Sequence, residues 1–336
     1  MTICCRKLRY MPSPSFTVII ISYNQEDSIV ECIESVLAQT AFDSIAEILV
    51  VDDASTDGSV EAAEKAAERQ SKVRIVRRET NSGGAAAPRN DGLRIAKGSH
   101  IAFLDGDDIW LPNKLETELA VLERHPGVGL IYCDFVTFSQ DYDDRRTVCR
   151  HVDADDTNQL EKFFVRGGPI LPSCAVVSAE AVRAAGLMNE NLRFNEEQEF
   201  WLRILTTSRA QHIREALVRR RAWEGSLGSV TYGLENIACK RQITKIMLNL
   251  QPDLERVAPK REAQIEFKTA VHYFRLNDKA SARAYLRKAI ALDGSLRKAQ
   301  LYLAISYVTA RPETFLTHAR HLASRARSLS MGGARK

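Results

Sequence analysis

Apolar and polar positions along the first hundred residues alternate between two kinds of run. "FTVIIIS" (16–22) is a continuous, mostly β-branched stretch, the pattern of a strand buried on both faces of a parallel sheet. "SIVECIESVLAQ" (28–39) then places Ile29, Ile33, Val36 and Leu37 at helical spacing. "EILVV" (47–51) is a second buried strand, and "STDGSVEAAEKAAERQ" (55–70) reads as a helix with a Ser/Thr N-cap, early acids and an Ala-rich body. "VRIVR" (73–77) is a third strand. "APRNDGLRIAKG" (87–98) is a helix with Pro88 in its first turn and Gly98 near its C-cap, and "HIAFL" (100–104) is a fourth strand. The order β-α-β-α-β-α-β predicts an open, mostly parallel α/β sheet.

The middle of the chain is less regular. "LIYCDFVTF" (130–138) predicts a strand, "PSCAVVSAEAVRAAG" (172–186) a strand and short helix, and "EEQEFWLRILTTS" (196–208) an amphipathic helix. "RRRAWEGSLGSVTYG" (219–233) reads as a basic, Gly/Ser-rich loop. From about residue 236 the pattern is helical throughout. There "FKTAVHYFRL" (267–276) and "LYLAISYVTA" (301–310) match at an offset of 34, pairing Phe267 with Leu301, Ala270 with Ala304 and Tyr273 with Tyr307. Helix pairs at that period resemble tetratricopeptide repeats, here about two units. The expected division is an N-terminal tail at 1–15, an α/β domain at 16–235 and an all-α module at 236–330.

Charge sharpens this division. Residues 256–336 hold 17 Lys and Arg against 5 Asp and Glu, and the rest of the chain holds 30 against 38. An acidic body therefore carries a basic helical module, a charge placement suited to an anionic membrane surface or a protein partner. The net charge of +4 is too small to argue for nucleic acid. The seven cysteines, Cys4, Cys5, Cys32, Cys133, Cys149, Cys174 and Cys239, form no Cys-x-x-Cys pair and read as free thiols of a reducing cytosol. The start "MTICCRKLRYMPSPSF" lacks an apolar run after its basic residues, and no stretch approaches 18 consecutive apolar residues. The expected location is the cytoplasm, peripheral at the inner face of the plasma membrane.

Candidate chemistry sits at the ends of the predicted strands. In open α/β sheets ligands bind beyond the carboxyl ends of the strands, and three polar clusters lie there: "SYN" (22–24), "DDAS" (52–55) and "DGDD" (105–108). The last crowds Asp105, Asp107 and Asp108 around Gly106. Hard divalent cations take oxygen ligands, and Mg²⁺ or Mn²⁺ binds through one or two carboxylates plus substrate phosphates. Asp107 and Asp108 suit that role; the alternative is an acidic turn capping a helix near Pro112.

The segments "VIIISYN", "EILVVDDASTDGS", "APRNDGLRIAKG" and "IAFLDGDDIWLPNKL", in this order, resemble the nucleotide-sugar-binding half of family-2 glycosyltransferases with the GT-A fold, and "AAGLMNENLRFNEEQEFWLRI" resembles their acceptor-side segment. The resemblance covers roughly 16–230. It implies an α/β GT-A domain followed by the all-α module, and an inverting transfer of a sugar from a nucleotide-diphosphate donor, UDP-linked, to a hydroxyl acceptor in bacterial cell-surface or extracellular polysaccharide synthesis. The partners it implies are that donor and a saccharide or lipid-linked saccharide. Ser22, Tyr23 and Asn24 match the nucleotide site, with Tyr23 stacking on the base. Asp52 and Asp53 match the pair that contacts base and ribose, one of which could equally cap the following helix. Arg89 matches a segment near the nucleotide, Asp105 contacts ribose or supports the turn, and Asp107 and Asp108 face Mn²⁺ or Mg²⁺ and diphosphate. Glu197 stands where the family has its Asp general base, with Glu196 before it, and Trp223 stands where many relatives have a His. Arg221, Arg219 or Arg220 could neutralise diphosphate charge there.

Three other classes compete with this reading. A nucleotide-sugar-binding scaffold that recruits partners through the helices is the main alternative. A sugar-phosphate nucleotidyltransferase would need a Gly-rich basic loop after the first strand, which "SYNQED" is not. A dinucleotide oxidoreductase would need Gly-x-Gly-x-x-Gly after that strand, and "NSGGAAAPRNDG" (81–92) provides neither the motif nor the place.

Overall fold

A computed structural model describes residues 13–68, 70–139, 142–147, 155–167, 170–222 and 233–308. They fall into two compact units, one from residues 1–159 and 168–223, the other from 160–167 and 224–336. The α/β unit begins β1 (Phe16–Ser22), α1 (Ile29–Leu37), β2 (Ile45–Asp52), α2 (Ser59–Ala67), β3 (Val73–Arg77), α3 (Ala86–Ile95) and β4 (His100–Asp105). A short β5 (Ile109–Trp110), α4 (Lys114–Arg124), β6 (Val128–Ser139) and β7 (Tyr142–Thr147) follow. After α5 (Gln159–Arg166), nearly all of which belongs to the other unit, come β8 (Ala175–Ser178), α6 (Ala179–Ala185), α7 (Glu196–Ile204) and β9 (Arg209–Arg221).

The described strands make one sheet in the order β3-β2-β1-β4-β8-β6-β9-β5, with β7 on β6. β3, β2, β1 and β4 are parallel, as the apolar runs predict. Six of the seven β1 residues are buried, because helical crossovers leave neither face of a parallel strand to water. Beyond β4 the sheet is mixed: β8 runs antiparallel to β4 and β6, and β9 parallel to β6. Register decides where the site lies. Ser22 pairs with Asp52 and Ile21 with Asp105, so β2, β1 and β4 end side by side.

Two local expectations are corrected. The second helix starts at Ser59 and not at Ser55, because Ala54 takes a left-handed turn (φ 61°) and Ser55 folds back onto Asp52. Gly98 lies two residues past Ala96, the C-cap of α3; a Cβ there would lie 2.4 Å from the Thr17 nitrogen, so glycine permits the chain to pass β1. Arg219 to Arg221 are the end of β9 and not a loop, since Ile109 and Trp110 pair with Arg219 and Val218. Residues 223–232, including Trp223, lie outside the described residues, as do Cys4, Cys5 and Cys149. Among the described residues Cys32, Cys133 and Cys174 are buried and, like Cys239, form no disulfide. No helix of the described residues is long and apolar enough to cross a membrane.

His100, at the start of β4, gives a pH prediction. Burial lowers its pKa from 6.5 to about 4. Between those values the unfolded chain takes up a proton that the native one refuses, so stability falls as pH drops, by about 2 kcal/mol at pH 5. His100→Asn should therefore lose less stability than the parent between pH 7 and 5 in urea titrations.

The second unit contains α5, then α8 (Gly233–Leu250), α9 (Ala258–Arg275), α10 (Lys279–Leu292) and α11 (Arg297–Ile305). Its core is built on small residues, Ala263, Ala270, Ala282, Ala289 and Ala299, around Phe274 and Leu286, which lets helices approach closely. Buried Arg261 ties the unit together, donating to the Phe164 carbonyl and to Thr244 Oγ1. The 34-residue period does not give equal environments. Ala270 is fully buried while Ala304 is exposed, and Leu301 and Tyr307 are exposed. Residues 309–336 lie outside the described residues.

Candidate active site

The loops after β1 and β2 are stitched together where their strands end. Asn24, in a left-handed turn (φ 51°), donates its N–H to Ser55 Oγ and accepts from the Thr56 N–H at 2.8 Å. The Gln25 N–H donates to Ser59 Oγ, the Glu26 N–H to Asp57 Oδ2, and the Gly58 N–H to Glu26 Oε2. These bonds satisfy polar groups that strand pairing leaves over at the sheet edge. They frame a cavity of about 350 Å³ lined by Tyr23 to Ser28, Asp57 and Asp107, within the usual size of ligand pockets. Tyr23 is 47% exposed, and Ser22 Oγ is buried without a hydrogen-bond partner.

Asp52 and Asp53 are both buried and do different work. Asp52 accepts from the Ser55 N–H (2.9 Å) and Ser55 Oγ (2.5 Å), closing the turn after β2. Asp53 is paired with Arg78 Nε (2.8 Å) and accepts from Asn81 Nδ2, the Ser82 N–H and Ser82 Oγ, so it fixes the "NSGG" segment.

The acidic turn after β4 is held from four directions. Gly106 lies under β1, its N–H on the Ile21 carbonyl at 2.9 Å. A Cβ there would be 2.1 Å from Gln25 Oε1 and 2.8 Å from the Ile21 oxygen. Since the second contact is backbone, Gly106→Ala should cost about 1–3 kcal/mol of stability; an unchanged melting midpoint would contradict this. Asp105 accepts from Arg89 Nη2 at 2.7 Å. Asp108 is 3% exposed, and its oxygens accept from Ser173 Oγ (2.6 Å) and the Arg221 N–H (3.0 Å). Burial first, then the charges of Asp107 and Asp105, push its carboxyl well above the ordinary carboxylate range. Of the two expected metal carboxylates, therefore, only Asp107 lines the cavity. Ser173 also accepts the Asp105 N–H, so one hydroxyl spans the turn, and its carbonyl is held by Trp110 Nε1. Arg221 donates from Nε to the Asp107 carbonyl and from Nη2 to Glu31 Oε2 (2.5 Å), which sets its guanidinium beside the turn.

Arg89 connects this turn to α7. It is 3% exposed, and Nη1 donates to Glu196 Oε1 at 2.9 Å. Burial alone would lower its pKa, but the charges of Asp105 and Glu196 raise it. Glu196 opens α7 and is itself buried; Glu197, next to it, is partly exposed. The body of α7 is anchored by Trp201 Nε1 on the Ile170 carbonyl and by the Arg203–Glu199 pair (2.7 Å).

The strand-end clusters and the start of α7 thus share one edge of the sheet. The family described as "Glycosyl transferase family 2" matches residues 17–182, from β1 into α6. A Bacillus subtilis (strain 168) protein named "Putative glycosyltransferase EpsE" is 30% identical over 257 residues, covering 68% of this chain and 83% of that protein. The chain belongs to glycosyl transferase family 2. A poly(ribitol-phosphate) beta-glucosyltransferase of Bacillus spizizenii is 44% identical over 92 residues, 27% of this chain; the chain spans 14% of that protein's length. The S. aureus TarS 1–349 structure in complex with UDP-GlcNAc shares the fold, with a TM-score of 0.65 at 19% identity over 88% of this chain and 87% of that one.

In this family-2 glycosyltransferase the structure groups Ser22, Tyr23, Asn24, Asp52, Asp53, Asp105, Asp107, Asp108 and Arg221 at one sheet edge, with Arg89 linking them to Glu196. Of these residues Tyr23, Asn24 and Asp107 line the cavity, and the others do not. Several residues that shape the edge are not picked out as site residues by the sequence: Ser173 falls in a stretch that reads as a strand, Arg78 follows the third strand, and Asn81 and Ser82 open the "NSGGAAAPRNDG" segment. Among the described residues no group of three or more His, Cys, Asp or Glu could hold a metal ion. The donor chemistry fits a hard divalent cation only in the form that substrate phosphates complete, with Asp107 as the protein's carboxylate.

Proposed function

We propose that this family-2 enzyme moves a sugar, with inversion, from a UDP-linked donor to a hydroxyl of a saccharide or lipid-linked saccharide acceptor. The observation that carries this reading is the register that sets Ser22, Asp52 and Asp105 side by side, with Arg89 joining Asp105 to the start of α7. A shared fold with a protein solved with UDP-GlcNAc supports the donor class, and a relative named for poly(ribitol-phosphate) supports a polymeric acceptor.

Tyr23 offers its exposed ring to the base. Asp107 is the carboxylate that would hold Mn²⁺ or Mg²⁺, and the ion would supply Lewis-acid stabilisation of the leaving diphosphate when bound. Arg221 adds positive charge on the same side. The acceptor O–H attacks the anomeric carbon from the face opposite the diphosphate. As that C–O bond forms, the bond to the diphosphate oxygen breaks and carries its electron pair away. The hydroxyl proton passes to the Glu197 carboxylate, which must lie within hydrogen-bond reach of it.

The test is UDP release from a panel of UDP-sugars with Mn²⁺, with and without saccharide acceptors. Turnover of one donor, rising on addition of an acceptor, is expected. Tight UDP binding with no turnover on any acceptor would favour the scaffold reading instead.

A further inference from the structure

We propose that Arg89 is a positioning residue that sets the start of α7 against the acidic turn, so that the donor and the acceptor base are held at one fixed separation. This rests on the reading of Glu197 as the base, and deepens it.

The argument starts from a fork. A guanidinium presents its donors in a rigid plane, so two carboxylates bound to its two terminal nitrogens are fixed relative to each other. Arg89 holds Asp105 at 2.7 Å and Glu196 at 2.9 Å, one at the end of β4 and the other at the first residue of α7. Its own side chain is 4% exposed. It comes from the middle of α3, a third element, so it is a strut between two functional segments and not part of either. Because both terminal nitrogens already face carboxylates, its charge is balanced within the protein. To bind a phosphate, Arg89 would instead have to offer that charge to the cavity, whose lining does not include it.

The Glu196 end is where such a strut has leverage. Asn195, just before it, sits in the left-handed region (φ 59°), so the chain turns sharply into the helix. The far end of α7 is pinned separately by Trp201 and Arg203. A shift at residue 196 moves Glu197 with it, and a displacement of about 1 Å at a reacting group costs on the order of 100-fold in rate.

The experiment compares the full chain with Arg89→Lys, Glu196→Gln and the double variant. It measures UDP binding by calorimetry, turnover of the UDP-sugar that supports UDP release, and amide exchange over 194–204. Lysine keeps the charge but cannot fork. The expected result is a roughly 100-fold fall in kcat for Arg89→Lys, a UDP Kd within about threefold of the parent, and faster exchange at the start of α7. The double variant should be no worse than the more damaged single. A tenfold weaker UDP Kd with kcat retained would make Arg89 a donor ligand and overturn the proposal, as would unchanged amide exchange. Glu197→Gln separates the two readings. If that variant keeps full turnover the base assignment fails, while faster exchange in Arg89→Lys still upholds the strut.

Discussion

Replacing Glu197 with Gln is expected to lower sugar transfer by about 10²–10⁴-fold, the usual contribution of general acid–base catalysis, and to leave UDP binding within a few-fold of the parent. Two adjacent carboxylates open α7, and their surroundings separate them. Glu196 is buried and bonded to Arg89, so its proton-accepting capacity is committed to the ion pair. Glu197 is partly exposed in the same first turn. Glutamine keeps the shape and removes the proton acceptor. Glu197→Asp is the informative companion: it restores the side chain the family uses, so it should lose less than Gln. Equal rates for parent and Glu197→Gln in single-turnover transfer would remove Glu197 from the chemistry.

The second large effect is expected at Asp107. Asp107→Asn should reduce transfer on the order of 100-fold, about 2.7 kcal/mol of transition-state stabilisation, and should weaken the response of the rate to added Mn²⁺. Asp108→Asn should act differently. Its oxygens accept from Ser173 Oγ and the Arg221 N–H; an amide nitrogen facing Arg221 would set donor against donor, and one facing Ser173 would make the hydroxyl turn from donor to acceptor, so the loss should fall on thermal stability. Rate against Mn²⁺ concentration and melting curves, measured on both variants, separate the two. A normal Mn²⁺ response in Asp107→Asn with a lost one in Asp108→Asn would exchange their roles.

The legible part of this protein is set by short-range physics. "FTVIIIS", "EILVV" and "HIAFL" are apolar enough to read as buried strands, "VRIVR" is a half-exposed strand at the end of the sheet order, and all four are strands in the structure. The polar clusters after them lie at strand ends for the same reason. The start of α2 was misplaced because Ser55 is equally able to cap a helix or to close a turn on Asp52, and only the left-handed Ala54 decides between them. Arg219–Arg221 looked like a loop because three arginines and a following Gly/Ser stretch carry no apolar pattern, while pairing with β5 makes them strand.

Within the acidic turn, sequence alone fixed the number of carboxylates and their spacing, since a strand entering "DGDD" must present them at its end. It could not assign their jobs. Asp105, Asp107 and Asp108 have the same side chain, and what distinguishes them comes from residues far away in the chain: Arg89 from α3, Ser173 from the turn before β8, and Arg221 from the end of β9. The same holds for Glu196 and Glu197, identical in type and adjacent in sequence, of which Arg89 engages the first. Local pattern determines which segments are buried and where the polar edge falls. Tertiary structure alone decides which charge meets which partner, because a carboxylate's environment is set by contacts that span as many as 190 positions of the chain, from Glu31 to Arg221.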